Sequence, residues 1–415
     1  MEAIEIFTKN LKQLLLESPL GEIPVLAIDP GFRTGCKVAV LDGQGNLVTN
    51  TTIYPHPPQS NYNESAEKLK LLIHTYKIQA VAVGNGTAGR ETEAHIKGLG
   101  IANLEVYLIS EAGASIYSAS ELARKEFPDL DLTVRGAISI GRRLMDPLAE
   151  LIKIDPKSIG VGQYQHDVDQ GQLRQALEDV VVSSVNAVGI NLNTASETLL
   201  SYVSGIGATL AKRIVNHRYK LNKFTSRAQL KDVKGLGAKA YEQAAGFLRV
   251  KDGHNPLDNS AVHPERYQLV RSIAKTLDLD IESLIGNKSI IKKIDINNYV
   301  TAEVGLPTLK DIISELQKPG TDPRGQAESF SFLSYIKSIS DVKEGMILPG
   351  IIVNVAKFGA FVDLGIKENG LIHISEITDK FINDPNDVLS INQKIKAKVL
   401  KVDLERNRIQ LSLKD

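Results

Sequence analysis

Two glycine-rich turns have the composition and spacing that most directly suggest chemistry. The first is Val203-Ser204-Gly205-Ile206-Gly207, and the second, thirty residues later, is Val233-Lys234-Gly235-Leu236-Gly237. Each turn opens a helical pattern that carries lysine or arginine. Such a turn exposes backbone N–H groups and the positive end of the helix dipole, which suits a phosphate. The predicted phosphate-binding residues are Gly205, Gly207, Lys212, Arg213, Gly235, Gly237 and Lys239.

The same region is strongly basic. Between Ser204 and Arg249 the sequence has ten Lys and Arg residues against two acids, Asp232 and Glu242, a net charge of +8. Concentrated positive charge is typical of nucleic-acid binding. The turns and the charge together indicate tandem helix-hairpin-helix elements. The alternative is a solvated helical domain in which the turns merely connect helices.

Aromatic residues on a predicted barrel form a second candidate site. Five short alternating strands near the C-terminus favour a small closed barrel. Ala360 and Val362 alternate with Phe361, which places Phe361 outside an aliphatic interior, where it could stack on an unpaired base. The alternative is that the phenylalanines cover one end of the barrel. Phe358-Gly359-Ala360-Phe361-Val362 and Gly370-Leu371-Ile372-His373-Ile374-Ser375 resemble the S1 RNA-binding domain, an OB-fold. The predicted RNA-binding residues are Lys357, Phe358, Phe361, His373 and Arg408.

Carboxylates follow two predicted strands of an N-terminal α/β region. Asp29 follows the apolar run that begins at Val25, and Glu111 follows the run that begins at Val106. A hairpin followed by alternating helices and strands favours an α/β fold with these carboxylates at strand ends. This stretch resembles the RNase H-like fold of the YqgF and RuvC resolvase type.

The resemblance implies that Asp29 and Glu111 occupy two catalytic carboxylate positions, and Asp146 is the candidate for the third. In active members such carboxylates hold divalent metal ions during phosphodiester cleavage. Mg²⁺ or Mn²⁺ is therefore expected only if this domain is active, and no other cofactor or metal site is predicted. Two alternatives stay open, because Asp146 before Pro147 also fits a helix N-cap and Asp29 also fits a residue that braces a turn.

Bulk composition sets broad limits. The 415 residues carry 49 basic and 49 acidic side chains, 42% hydrophobic residues and one cysteine, Cys36. The values are ordinary for a globular protein of several domains. No apolar run is long enough to span a membrane, and the acidic N-terminus lacks a signal-peptide pattern. We therefore expect a reducing, cytoplasmic location and no membrane partner.

The predicted organisation is a multidomain α+β chain with six segments. They are a helical tail of a missing N-terminal region (1–21), a YqgF/RNase H-like domain (22–152), a helical connector (153–190), a tandem helix-hairpin-helix domain (191–253), a helical region and linker (254–340), and an S1 RNA-binding OB-fold domain (341–415).

In this order the domains resemble the Tex family of bacterial transcription accessory proteins along nearly the whole chain. Further matching stretches are Asp29-Pro30-Gly31-Phe32-Arg33-Thr34-Gly35, Gly84-Asn85-Gly86-Thr87, Glu111-Ala112-Gly113-Ala114-Ser115 and Gly160-Val161-Gly162-Gln163-Tyr164-Gln165-His166-Asp167. The resemblance implies a transcription accessory factor that binds RNA, DNA or both, with RNA polymerase or other transcription machinery as partner. It also implies that the RNase H-like domain is a scaffold without nuclease activity. The two alternatives are a metal-dependent, structure-specific nuclease or resolvase and a translation-associated RNA-binding protein.

Overall fold

The structure is a computed structural model that describes residues 2–414 apart from 163–164, 321, 326, 328–329, 331, 334, 337 and 392. Its helices are α1 Glu2–Leu15, α2 Tyr62–Thr75, α3 Gly89–Gly98, α4 Ala114–Ala119, α5 Glu121–Glu126, α6 Leu132–Met145, α7 Pro147–Leu151, α8 Gln170–Val188, α9 Glu197–Ser201, α10 Ala208–Leu221, α11 Ala238–Ala245, α12 Tyr267–Thr276, α13 Ile281–Leu284, α14 Lys288–Ile291 and α15 Leu306–Gln317. Its strands are β1 Val25–Asp29, β2 Cys36–Leu41, β3 Leu47–Ile53, β4 Ala80–Gly84, β5 Glu105–Ile109, β6 Ile190–Asn191, β7 Leu248–Arg249, β8 Ile347–Ala356, β9 Gly359–Asp363, β10 Gly370–His373, β11 Lys394–Asp403 and β12 Arg408–Ser412.

These elements form two compact units. One contains residues 1–180 together with 326–415, and the other contains residues 181–325. Among the described residues, no helix has both the length and the apolar character needed to cross a bilayer.

A five-stranded sheet forms the centre of the first unit, in the order β3-β2-β1-β4-β5. Strand β1 pairs antiparallel with β2 and parallel with β4. Because side chains alternate along a strand, Val25 and Ala27 pack beneath α6, while Leu26 and Ile28 pack beneath α2 and α3. Helices on both faces of the sheet confirm the predicted α/β domain.

Helix α1 packs its apolar stripe against the first unit rather than standing alone. Phe7 and Leu11 are buried, and an added Cβ at Gly162 would collide with the Phe7 ring. The side-chain amide of Asn10 donates a 2.8 Å hydrogen bond to the carbonyl of Val161. The glycine-punctuated segment around residue 160, to which the sequence assigned no role, therefore holds this helix in place.

The second unit is mainly helical. The first Gly-x-Gly turn joins α9 to α10, and the second leads from a 3-10 helix, Arg227–Asp232, into α11. The two-residue strands β6 and β7 pair in parallel. Helices α12 to α15 share a separate apolar cluster that includes Val270, Leu284 and Leu316.

Strands β8 to β12 close into a barrel in the order β10-β12-β11-β8-β9. Ala360, Val362 and Ile409 point inward and are at most 1% exposed, because alternate residues face the same side of a strand. The predicted small barrel with an aliphatic core is confirmed.

Candidate nucleic-acid interface

The two Gly-x-Gly turns share one backbone geometry. Gly205 and Gly235 have φ values of +82° and +87°, a region that glycine enters without strain and that other residues rarely adopt. In each turn the apolar residue two positions before this glycine and the apolar residue directly after it are buried. They are Val203 and Ile206 in the first turn, and Val233 and Leu236 in the second. Each turn is therefore held by a pair of apolar side chains while its glycines stay exposed.

The turns also pack reciprocally on each other's helices. An added Cβ at Gly205 would approach Ala240 and Gln243 of α11, whereas one at Gly235 would collide with Arg213 of α10. Arg213 donates a 3.1 Å hydrogen bond to the carbonyl of Lys234 in the second turn. The two hairpins therefore form one packed pair.

The second glycine of each turn is the N-cap of the helix that follows. Gly207 precedes α10 and Gly237 precedes α11, and neither helix has a side chain that caps its first N–H groups. A Cβ added at either glycine would meet no atom within 4 Å. No protein atom therefore fills the space beside either N-cap glycine, which leaves room for an anion at the positive end of each helix dipole.

Seven of the ten basic residues of this region are exposed. They are Lys212, Arg213, Lys220, Lys223, Lys231, Lys234 and Lys239. The remaining three support the fold: Arg227 is 1% exposed and donates to four backbone carbonyls, and Arg218 and Arg249 also donate to carbonyls. With both acids exposed, the accessible excess is +5 rather than the +8 counted along the sequence. A count along the sequence overestimates the positive charge at the surface, because it includes arginines whose guanidinium groups bind carbonyls within the fold.

On the barrel, two phenylalanines form an exposed aromatic pair. Phe358 is 51% exposed and meets the half-buried Phe361 edge-to-face, with ring centroids 6.0 Å apart. Phe361 pairs with Leu371 and Gly359 pairs with His373 across β9 and β10. Phe358, Phe361 and His373 therefore gather at one corner of the barrel, where an aromatic face is open to solvent.

The ring of His373 is fixed by its neighbour two residues on. The backbone N–H of Ser375 donates to Nδ1 at 3.3 Å, and the Ser375 hydroxyl lies 2.9 Å from the same atom. Because Nδ1 accepts, the neutral ring carries its proton on Nε2. His373 thereby keeps one donor and a flat ring face available.

The two predicted cations of this site lie at different distances from the aromatic pair. Lys357 directly precedes Phe358 and is exposed. Arg408 begins β12, two residues or about 7 Å along the strand from Gln410, which is level with Phe361 across β10. Lys357 thus lies next to the pair in sequence, whereas Arg408 lies two strands away from Phe361.

Asp29 and Glu111 come together at the carboxyl ends of β1 and β5. The backbone N–H of Gly86 donates to the Glu111 carboxylate at 3.1 Å, and a Cβ at either Gly84 or Gly86 would occupy the space of that carboxylate. A Cβ at Gly136 of α6 would lie 2.8 Å from the Asp29 carboxylate. The two acids are therefore enclosed by glycine backbone.

This enclosure changes the acidity of both groups. Burial, reinforced by the charge of Glu111, raises the pKa of Asp29 to about 7. Burial also raises the pKa of Glu111, although the Gly86 N–H and the guanidinium of Arg143 oppose the shift. Near neutral pH the pair can therefore hold a proton.

The structure does not bring Asp146 to this pair. Asp146 follows the C-terminal end of α6, ten residues or about 15 Å along the helix axis from Gly136, the residue that adjoins Asp29. Its carboxylate accepts from the Ala149 N–H and caps α7, as the N-cap alternative predicted. At the Asp29 end of α6 the acid is Asp131, which caps the helix by accepting from Thr133 and Val134. Within the described part of the chain, no three His, Cys, Asp or Glu side chains group as ligands of a metal ion.

Sequence reasoning missed the residue that supports this strand end. Arg143, 5% exposed, donates from one nitrogen to the carbonyls of Ser110 at 2.8 Å and Ala112 at 2.7 Å, on either side of Glu111. The sequence shows it only as one of two consecutive arginines, and nothing in that pattern indicates which one turns inward.

The comparisons with known proteins follow the order of these structural regions. Residues 23–145 match a family model described as the Tex protein YqgF-like domain, and residues 185–249 match a helix-hairpin-helix motif. Residues 255–324, interpreted from sequence as a helical region and linker, match an HHH domain. Residues 341–414 match an S1 RNA binding domain.

The whole chain also aligns with curated proteins. It is 48% identical over 420 residues to Protein tex of Bordetella pertussis, with 100% of this chain and 53% of that protein aligned. It is 49% identical over 417 residues to the transcriptional accessory protein Tex of Neisseria gonorrhoeae, with 100% and 55% aligned. The chain belongs to the Tex family. The chain is also 34% identical over 481 residues to the human S1 RNA-binding domain-containing protein 1, with 99% of this chain and 48% of that protein aligned.

This Tex chain spans about half the length of the curated relatives it matches. Among solved structures, GSP13 from Bacillus subtilis is 39% identical over 17% of this chain and 55% of its own, with a TM-score of 0.17. The Tex chain thus combines helix-hairpin-helix and S1 domains, two types that bind nucleic acids, with a YqgF-like domain.

Proposed function

We propose that this chain is a transcription accessory factor that binds single-stranded RNA or single-stranded DNA through its S1 barrel. The observation that carries the proposal is the aromatic pair of the exposed Phe358 and the half-buried Phe361, with His373 and Lys357 beside it. Aromatic faces stack on bases of any sequence, and neighbouring cations contact the phosphates between them. Arg408 extends the same face.

Titration of labelled oligonucleotides by fluorescence anisotropy tests this proposal. Phe361→Ala is expected to weaken single-strand binding by about 1–3 kcal/mol, the usual contribution of one base–aromatic stack. The matched control is Phe381→Ala, which removes a 91% exposed phenylalanine elsewhere on the barrel domain. If the wild type binds single strands and Phe361→Ala binds them with the same affinity, the stacking role is refuted. Parallel titrations of RNA, DNA and duplex identify the preferred nucleic acid.

The helix-hairpin-helix pair supplies the second contact in this proposal. Gly205, Gly207, Gly235 and Gly237 would hold backbone phosphates at two uncapped helix N-termini, with Lys212, Arg213 and Lys239 adding charge. Support comes from the exposure of all seven residues and from the open space at the two N-cap glycines. Contacts of this kind position a nucleic acid without distinguishing bases.

The YqgF-like domain serves as a scaffold in this proposal. Metal-dependent cleavage by Asp29 and Glu111, without Asp146, is the second candidate function, and the interaction between these two carboxylates at the strand ends favours it. Incubation of branched DNA and of RNA with Mg²⁺ or Mn²⁺ separates the two functions. Cleavage that disappears in Asp29→Asn would establish the nuclease and overturn the scaffold role.

The protein partner in this proposal is the transcription machinery, within the reducing cytoplasm. Support comes from the name of the Neisseria gonorrhoeae relative, a transcriptional accessory protein, and from the buried, unpaired Cys36. Because S1 domains also occur in proteins of translation, co-purification is the deciding experiment. Recovery with RNA polymerase supports the proposal, whereas recovery with ribosomes supports a translation-associated role.

A further inference from the structure

A row of lysines runs along the outer face of the barrel, away from the aromatic pair. Lys396, Lys398 and Lys401 of β11 are all exposed, and no acid forms an ion pair with them among the described residues. We call these three residues the lysine row. Lys396 and Lys398 are two residues apart on the same face, which separates them by about 7 Å.

The cross-strand neighbours of the lysine row are also free of acids. Lys396 lies opposite Pro349, Lys398 lies between Ile347 and Ser412, and Lys401 lies opposite Gln410. The nearest carboxylate along the strand, Asp403, lies across from Arg408 and accepts the backbone N–H of Arg406. The positive charge of the row is therefore not neutralised within the barrel.

A β-bulge keeps the row continuous. Strict alternation would turn residue 401 inward, since residues 394, 396 and 398 point outward. The register shifts between Val399 and Lys401, where Leu400 is the extra residue, so Lys401 is exposed and Val402 returns toward the core. Inserting one residue into a strand re-aims the side chains that follow it.

The lysine row is in register with the aromatic pair. Phe361 pairs with Leu371, Leu371 pairs with Gln410, and Gln410 pairs with Lys401, so one outward ladder crosses β9, β10, β12 and β11. Three strand spacings separate Phe361 from Lys401, or about 14 Å around the barrel. From Lys401 the row continues along β11 to Lys398 and Lys396.

We propose that the lysine row is a second phosphate-binding track, which guides the nucleic-acid strand that leaves the aromatic pair around the barrel. This inference rests on the proposed single-strand binding at Phe358 and Phe361. The occupant is a single strand, since unpaired positive charge complements a phosphate backbone and the track is continuous with the stacking face. The footprint of the barrel is then longer than the aromatic corner alone.

Oligonucleotide length separates the two parts of this site. OB-fold proteins cover about 4–16 nucleotides, so an oligonucleotide of about 4 would occupy the aromatic corner and one of about 12 would also reach the row. The test variant is Lys396→Gln/Lys398→Gln/Lys401→Gln in the full chain. The control variant, Lys70→Gln/Lys77→Gln/Lys367→Gln, removes the same charge from exposed lysines outside the row.

The row variant is expected to bind the short single strand like wild type and the long one at least about tenfold more weakly. Its salt dependence for the long strand should fall by about 2 log units per log salt, since each single-strand phosphate contact contributes about 0.7. The control variant should match wild type at both lengths, and unchanged circular dichroism establishes that each variant is folded.

The phosphate-binding track would be overturned if the row and control variants lost the same affinity for the long strand, or if the row variant lost none. Poly-aspartate, titrated in parallel, represents an acidic protein partner. Loss of poly-aspartate binding with intact binding of the long strand would assign the row to such a partner and also overturn the proposal. Failure of the wild type to bind the short strand would instead count against the proposed function itself.

Discussion

At the residue scale, Asp29 shows how burial changes the chemistry of a carboxyl group. The side chain ends a central strand, adjoins the backbone of Gly136 and faces Glu111. A carboxylate with little water and a like charge nearby favours its protonated form. Asp29 and Glu111, whose position at the strand ends suggests metal binding, are thus also able to share a proton.

The raised pKa makes the contribution of Asp29 to stability depend on pH. The folded protein binds the proton more tightly than the unfolded chain, so this contribution is fully present below pH 3.8 and is lost as pH rises to about 7. Asp29→Asn should therefore raise the free energy of unfolding above pH 7. Between pH 5 and 8 the free energy of unfolding of Asp29→Asn, relative to that of the wild type, should increase by up to about 3 kcal/mol, because one pKa unit corresponds to about 1.4 kcal/mol.

Urea unfolding followed by circular dichroism at several pH values measures this difference. The matched control is Asp129→Asn, which neutralises an exposed carboxylate in the same domain. An Asp29→Asn variant with the same pH dependence as the wild type would show that this carboxyl is not buried enough to hold its proton.

At the element scale, each Gly-x-Gly turn has a first glycine that the fold requires and a second, at the helix N-cap, for which phosphate binding is proposed. Gly205 and Gly235 take a positive φ and touch the opposite helix, so the fold itself requires them. Gly207 and Gly237 have extended backbone and empty space around the missing side chain. Nothing in the packing of this unit requires glycine at the two N-caps.

Aspartate at the N-caps should therefore affect stability and binding in opposite directions. Gly207→Asp/Gly237→Asp supplies a preferred capping carboxylate, which should leave the melting temperature unchanged or raise it. The same charges lie where a phosphate would approach, so affinity for duplex DNA should fall by about tenfold or more, which is at least 1.4 kcal/mol.

The isosteric Gly207→Asn/Gly237→Asn variant caps the helices without adding charge and is the control. Calorimetry measures the melting temperature, and fluorescence anisotropy measures the affinity for duplex DNA. Retention of full duplex affinity by the aspartate variant would exclude the two helix N-termini as phosphate sites.

At the scale of the whole molecule, the barrel and the α/β domain belong to one compact unit. Arg90, at the start of α3, forms a 2.5 Å ion pair with Asp363 of β9, and its guanidinium lies 5.5 Å from the centre of the Phe332 ring. Lys9 of α1 pairs with Asp384 at 2.6 Å. The barrel is therefore anchored through two elements whose roles were not evident from their motifs.

These anchors should affect local order more than global stability. Arg90→Ala/Lys9→Ala removes two partly exposed ion pairs, each of which contributes about 0–1 kcal/mol. The urea midpoint is expected to shift little, while amide hydrogen exchange in α1 and β9 should become faster. The control variant Lys68→Ala/Lys125→Ala removes two exposed ion pairs within single helices of the α/β domain. Exchange rates unchanged from those of the wild type would indicate that apolar packing alone anchors the barrel.

The sequence by itself determined the elements whose signals are local. Strand alternation around Phe361 predicted the barrel and its outward aromatic face, and the Gly-x-Gly repeats predicted two hairpins, because side-chain period and glycine backbone geometry act within a few residues. The order of domains followed from the same short patterns.

Only the tertiary structure decided which charged residues are available. It buried Arg227, placed Asp146 at the opposite end of α6 from Asp29, and aligned Lys401 with Phe361 through four strands. Each outcome depends on contacts between residues far apart in sequence, where burial and strand register act and no local pattern records them.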